Sequence, residues 1–160
     1  MTATHSPDAD PSVTVRRAVR ADLLAVVRIE RAAFDQPWPF SAFQRFVGER
    51  GFLVADADGA GGDVVGYVVA GRAPDHGPDV GHVKNIAVRA DRRGEGIGSA
   101  LLSHALYALA RSGATAVKLE VRPSNDVAID LYRDFGFEYR RTVPRYYDDG
   151  EDAYVMVRDP

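Results

Sequence analysis

The chain has no cysteine, which excludes disulfides, thiolate metal ligands and any mechanism that carries an acyl group on an enzyme cysteine. It has almost no lysine: Lys84 and Lys118 are the only two, and the rest of its basic side is arginine. Neither sign of charge dominates, the formal net charge being -3, so the strong basic field that grips nucleic acid is missing. No apolar run approaches the ~20 residues that cross a bilayer, and neither nucleic acid nor membrane is expected as a partner. The four histidines, His5, His76, His82 and His104, are scattered without a metal-ligand spacing, and no metal is expected. Residues 1–12 lack a basic start followed by an apolar run. They read as a loose tail rather than a targeting segment, and a cytoplasmic location is expected.

What is present suits one domain over residues 13–160. A chain of 160 residues hides about two-thirds of the surface it would expose unfolded, and 46% hydrophobic with 27% charged residues is the balance of a soluble globular protein. Residues 13–19 read as a strand and 21–34 as a helix, with Leu23, Val26, Val27 and Ala33 at helical spacing. Pro37 and Pro39 break that helix, and Ser41 is placed to cap a second short one through 49. Residues 52–55 and 64–71 form a hairpin across the glycine-rich turn 58–62, and 81–88 gives a further strand. A helix over 98–111, stopped by Gly113, is followed by a strand at 116–121, a helix at 125–135 and strands at 137–143 and 153–157. The order is βααβββαβαββ. The strand, helix, strand run from 81 to 121 predicts one parallel pair inside an otherwise antiparallel sheet, hence a mixed α/β fold with helices flanking a central sheet.

The most informative stretch is the turn Arg92-Arg93-Gly94-Glu95-Gly96-Ile97-Gly98-Ser99 between the strand ending Ile86-Ala87-Val88 and the long helix. Its glycines permit backbone angles that put successive N–H groups on one concave side, where the helix N-terminus favours an anion. Arg92 and Arg93 are placed to add charge-assisted contacts to the same anion. A plain tight turn would have the same three glycines. The Lys-Ser/Thr ending of a P-loop is absent, and a dinucleotide fingerprint normally follows the first strand of a parallel sheet.

Arg93-Gly94-Glu95-Gly96-Ile97-Gly98 resembles the acetyl-CoA signature of the GNAT acetyltransferase superfamily, and the element order is similar to that fold. Leu119-Glu120-Val121-Arg122-Pro123-Ser124-Asn125, Ala128-Ile129-Asp130-Leu131-Tyr132 and Phe135-Gly136-Phe137 resemble the RimI-type ribosomal-protein alanine N-acetyltransferases, as does Arg145-Tyr146-Tyr147 with Glu151-Asp152-Ala153. Gly81-His82-Val83 ahead of Ile86-Ala87-Val88 is also similar to archaeal and eukaryotic N-terminal acetyltransferases. The resemblance spans roughly residues 13–157. It implies a GNAT-like fold and direct transfer of acetyl, within a ternary complex, from acetyl-CoA to the α-amino terminus of a protein or peptide, with a ribosomal protein among the candidates.

The resemblance also assigns roles. Glu120 is the general base, directly or through a water, with His82 as the alternative, and Tyr132 is the acid that protonates the departing coenzyme A sulfur. Residues 93–99 hold the pyrophosphate, Ile86, Ala87 and Val88 run beside the coenzyme, and Asn125 contacts its arm while also suited to cap the helix that follows. Trp38 and His82 on one side and Tyr146 with Tyr147 on the other border the peptide groove. From the residues alone, Glu120 alternates with Val117, Leu119 and Val121 as a solvent-facing strand position would, Tyr132 is placed as a core aromatic, and Trp38 and the tyrosines as packing residues. Asp148, Asp149, Glu151 and Asp152 gather beyond the tyrosines, either drawing a cationic substrate or forming a solvated turn. Acetylation of a small amine such as a polyamine or an antibiotic, and acetyl-CoA binding without turnover, remain the competing readings.

Overall fold

The protein is described here from a computed structural model covering residues 13–59 and 62–159. The expected tail 1–12, with His5, and the tip of the glycine-rich turn at 60–61 lie outside the described residues. The elements follow the expected order: β1 (Thr14–Arg17), α1 (Leu23–Ala33), α2 (Phe40–Gln44), β2 (Phe52–Asp56), β3 (Val64–Arg72), β4 (Val80–Val88), α3 (Ile97–Arg111), β5 (Ala116–Val121), α4 (Asp126–Asp134), β6 (Glu138–Val143) and β7 (Ala153–Arg158). The main departure is at α2. Pro39 takes the capping position, so Ser41 lies inside the helix rather than at its start, and α2 has only five residues. Beyond it, Phe46 and Val47 donate to Phe43 and Gln44 in single turns, and Gly48 ends the run at a φ of +95°.

The strands form one seven-stranded sheet in the order β1-β2-β3-β4-β5-β7-β6, antiparallel except for β4 and β5. One face carries α3 and α4 over a core that includes Leu53, Val68, Leu101, Leu102, Leu119 and Ile129. The other carries α1 and α2 over Val26, Phe43, Phe52, Tyr67 and Val69. Each α-helix therefore buries one apolar stripe, and the sheet is covered on both faces as a βαβ crossover requires.

Two irregularities in β4 prepare the site. Its register with β3 runs Val69 to Asn85 and then Ala70 to Val83, which leaves Lys84 as an inserted residue, a β-bulge. Its parallel pairing with β5 covers only Val80–Ala116, Gly81–Val117 and His82–Lys118. Beyond these pairs the strands part, so main-chain groups along residues 83–88 that would have met β5 face an open gap.

Close approach of α3 to the sheet depends on Gly66 in β3. A Cβ there would lie 3.0 Å from Leu101 Cδ1 and 3.2 Å from the Ala87 carbonyl oxygen, tighter than packed side chains tolerate. Gly66→Val is expected to cost about 1–3 kcal/mol by overpacking, read as a lower urea midpoint.

Candidate active site

At the open end of the β4–β5 gap the chain enters α3 through two residues with positive φ, Gly94 at +79° and Gly96 at +85°. The first internal bond of the helix runs from Ala100 N–H to the Gly96 carbonyl. The N–H groups of residues 93–99 donate to no acceptor among the described residues. They form a run of main-chain donors at the positive end of a fifteen-residue helix, which is the chemistry of a phosphate site. Of the two arginines expected to assist, Arg92 is bound to Glu95 at 3.0 Å, whereas Arg93 donates only its Nε, to the Val88 carbonyl at 3.2 Å. Asn125 caps α4 by accepting the Ala128 N–H at 3.2 Å, and its amide nitrogen stays available to a neighbouring ligand.

Glu120, His82 and Lys118 meet on the α1–α2 face of the sheet, because Val117, Leu119 and Val121 point into the α3 core and their neighbours point away from it. Glu120 Oε1 lies 2.7 Å from His82 Nε2, and Lys118 Nζ donates to Oε2 at 2.8 Å. Burial works to raise the Glu120 pKa, but the hydrogen bonds and charges of His82 and Lys118 outweigh it and hold the carboxyl at about 2. An ionised carboxylate only accepts, so His82 Nε2 carries the hydrogen of that contact. The position is thus half-buried and paired, unlike the plain solvent-facing strand residue that alternation alone suggests. The two candidate bases form a single unit.

Tyr132 projects from α4 into the α3 core and is only 6% exposed. Its ring packs edge-on against Phe137 at 5.9 Å, and its hydroxyl has no hydrogen-bond partner among the described residues. Burial, helped by Tyr147, pushes its pKa above the ordinary phenol value, which keeps the proton on the oxygen. A buried hydroxyl without a protein partner is costly. It fits a group whose partner is a ligand atom.

Trp38 and the tyrosine pair, the residues expected to border a peptide groove, are each held by supports that local sequence features did not single out. Trp38 is half-buried, tilted against Phe43 at 5.3 Å and stacked on Phe46 at 5.9 Å. Its backbone N–H donates at 2.8 Å to Glu30 of α1, a carboxylate only 1% exposed that also accepts the Tyr67 hydroxyl and, at 2.8 Å, the Asn85 side-chain amide. Glu30 therefore ties the proline elbow to β3 and β4. The signal that pointed to it is a charged residue on the apolar stripe of α1 beside Val26, Val27 and Ile29.

On the opposite wall, Tyr146 and Tyr147 meet edge-on at 5.0 Å. Burial raises both hydroxyl pKa values, that of Tyr147 to about 12, and Glu120 is near enough to add to each. The acidic rim beyond them does not stand as four free charges. Arg122 binds Asp149 at 2.8 Å and Glu151 at 2.9 Å and lies 4.0 Å from the centre of the Tyr147 ring. Glu151 also accepts the Ser124 N–H, and Asp152 accepts the Arg145 N–H. Of the two readings open for these acids, an internally bonded turn is the one observed.

Two surface hollows, about 300 Å³ beside Arg17, Glu49 and Arg72 and about 270 Å³ beside Leu106, Thr115 and Arg158, contain none of these groups. Among the described residues no three or more His, Cys, Asp or Glu side chains gather as a metal-binding group, and no helix is long and apolar enough to cross a membrane.

The profile of the acetyltransferase (GNAT) family matches residues 23–137. The chain is 37% identical over 154 residues to an N-alpha-acetyltransferase of Sulfolobus acidocaldarius, covering 89% of this chain and 90% of that one. It is 38% identical over 163 residues to the N-alpha-acetyltransferase RimI of Mycobacterium tuberculosis, covering 95% of each. The crystal structure of Ard1 from Thermoplasma volcanium superposes with a TM-score of 0.84 at 28% identity, covering 92% of this chain and 97% of that one.

Arg122 bonds the tyrosine hairpin to the end of β5 through Asp149 and Glu151. Arg122→Met should speed amide exchange across residues 145–151 by about fivefold, the loss of one exposed cation–π contact alone being of that order. Global melting should change little, since the contacts removed lie at the surface.

Proposed function

The chain belongs to the acetyltransferase (GNAT) family, and from that premise we propose that it transfers acetyl from acetyl-CoA to the free α-amino terminus of a protein or peptide. What supports the reading is the set of N–H groups of residues 93–99 left without an acceptor among the described residues, together with the His82–Glu120 pair where β4 and β5 part and the Tyr132 hydroxyl without a hydrogen-bond partner among the described residues. The names of its relatives point to the same substrate class. A ribosomal protein is the acceptor that the RimI resemblance favours. The catalytic unit is the single domain from residue 13 to residue 160.

Bound acetyl-CoA supplies the thioester carbonyl that an unprotonated amine attacks. Residues 93–99 hold the diphosphate and Asn125 the arm, with Ile86, Ala87 and Val88 alongside through their gap-facing main-chain groups. An α-amino group has a pKa of about 7.7–8.0, so it reaches the cleft largely as an ammonium ion. Glu120 at about pKa 2 is too weak a base to keep that proton by itself. The proton passes instead, directly or through a water, to the His82–Glu120 pair, where the carboxylate stabilises the imidazolium as it forms. Once the first proton has left the pair for solvent, the attacking nitrogen sheds its second proton to the pair as the amide forms; Tyr132 hands its proton to the departing sulfur and is reprotonated from the pair, so that one proton is released overall. Tyr146, Tyr147 and Trp38 confine the peptide backbone and exclude water.

Mass shifts of short free-amine peptides and of free polyamines, each incubated with enzyme and acetyl-CoA, test the reading. A mass gain of one acetyl on the peptides supports it, and acetylation of polyamines alone would sink it. Glu120→Gln should lower kcat by about 10²–10⁴ with coenzyme affinity kept, and Tyr132→Phe should lower kcat with little change in melting temperature. Equal loss of turnover and coenzyme binding in Glu120→Gln would contradict its role.

The pH dependence has a definite sign. The folded Glu120 pKa of about 2 lies below its usual 4.5, so the pairing stabilises the fold above pH 4.5 and that contribution is lost as pH falls toward 2. Between pH 5 and 8 Glu120 stays ionised. The acid limb of the rate profile should therefore follow the acceptor amine, and a limb centred near pH 4.5 would contradict the pairing.

A further inference from the structure

The two lysines of this chain stand on the substrate side of the β4–β5 gap, and only one of them is neutralised. Lys118 is spent on Glu120. Lys84, the inserted residue of the β4 bulge, has no carboxylate within ion-pair distance among the described residues. Its stem crosses Gly71, where a Cβ would lie 3.4 Å from Lys84 Cε, and Gly71 is the register partner of His82. Its ammonium sits 5.7 Å from the centre of the Phe46 ring, and Phe46 in turn stacks on Trp38. Lys84 therefore lies between the His82–Glu120 pair and the elbow bordering the peptide groove.

The balance of charge along that groove follows. Glu120 is matched by His82 and Lys118, Glu30 is buried within its network, and Asp149 and Glu151 are held by Arg122. Asp148 remains as an exposed carboxylate on the hairpin, where solvent and salt screen it. Lys84, half-buried beside an aromatic ring and without a carboxylate partner among the described residues, is then a cation on the elbow side left open to a substrate charge. A substrate carboxylate placed against it recovers an ion pair, whereas a substrate cation meets like charge.

Resting on the peptide reading above, we infer that Lys84 makes this enzyme select protein N-termini carrying an aspartate or glutamate among their first three residues. This is the opposite preference to the one an acidic hairpin rim implies. It acts through binding of the acceptor rather than through the chemistry, so it belongs in KM.

The test uses free-amine peptides identical except for Glu, Gln or Lys placed in turn at positions one, two and three, assayed at low and high salt. At one of those positions the Glu peptide should exceed the Lys peptide in kcat/KM by about three- to tenfold at low salt, mainly through KM, and the ratio should shrink as salt rises. Lys84→Met should bring the ratio to about one, and Lys84→Glu should invert it. Each ratio is internal to one variant, so a general loss of activity or stability cannot mimic an inversion. A Glu-to-Lys ratio unchanged in Lys84→Glu overturns this inference while leaving the peptide reading intact. Absence of turnover on every peptide overturns both.

Discussion

Three residue pairs hold parallel strands β4 and β5 together, and the site exists because there is no fourth. The Lys84 bulge bends β4 and adds twist just past the last pair, while β5 continues straight, bonded on its other edge to β7. A strand whose main chain is unpaired inside a covered sheet must find partners elsewhere, as the Ile86 N–H does on Asn85 Oδ1 and the Val88 carbonyl on Arg93 Nε. The α3 turn lies at the open end of the same gap, and His82 with Glu120 lies where the strands part. The proposed coenzyme groove and reaction centre would both follow from one break in pairing.

A gap of this kind needs walls that do not collapse into it. Glu30 supplies one by spending its buried carboxylate on Tyr67, Asn85 and the Trp38 main chain, so α1, the elbow and both central strands are mutually fixed. Arg122 supplies the other by gathering Asp149, Glu151 and the Tyr147 ring at the exit of β5. The two devices differ in depth. The first is buried, where a lost partner leaves a stranded charge. The second lies near solvent, where the hairpin is free to adjust as an acceptor enters.

Charge is distributed by the same logic. Glu120, Asp149 and Glu151 are each held by an internal cation, whereas Lys84 lies against Phe46 with no carboxylate partner among the described residues. A count of acidic letters around the tyrosines overstates the negative field there, because charges already paired at short range contribute little beyond a Debye length.

The sequence by itself determined what is local. The element order, the two prolines of the elbow, the left-handed glycines of the phosphate turn and the Asn125 cap are each decided by residues a few positions apart. The motifs at 93–99 and 119–137 carried the family as well. Only the tertiary structure decided that Glu120 would meet His82 across 38 residues and that Glu30 would close on Asn85 across 55. It likewise decided that Arg122 would take the hairpin acids across 27 and 29. Such partners are chosen by strand register and by which face each residue presents. A single inserted residue at the Lys84 bulge resets both for the rest of β4.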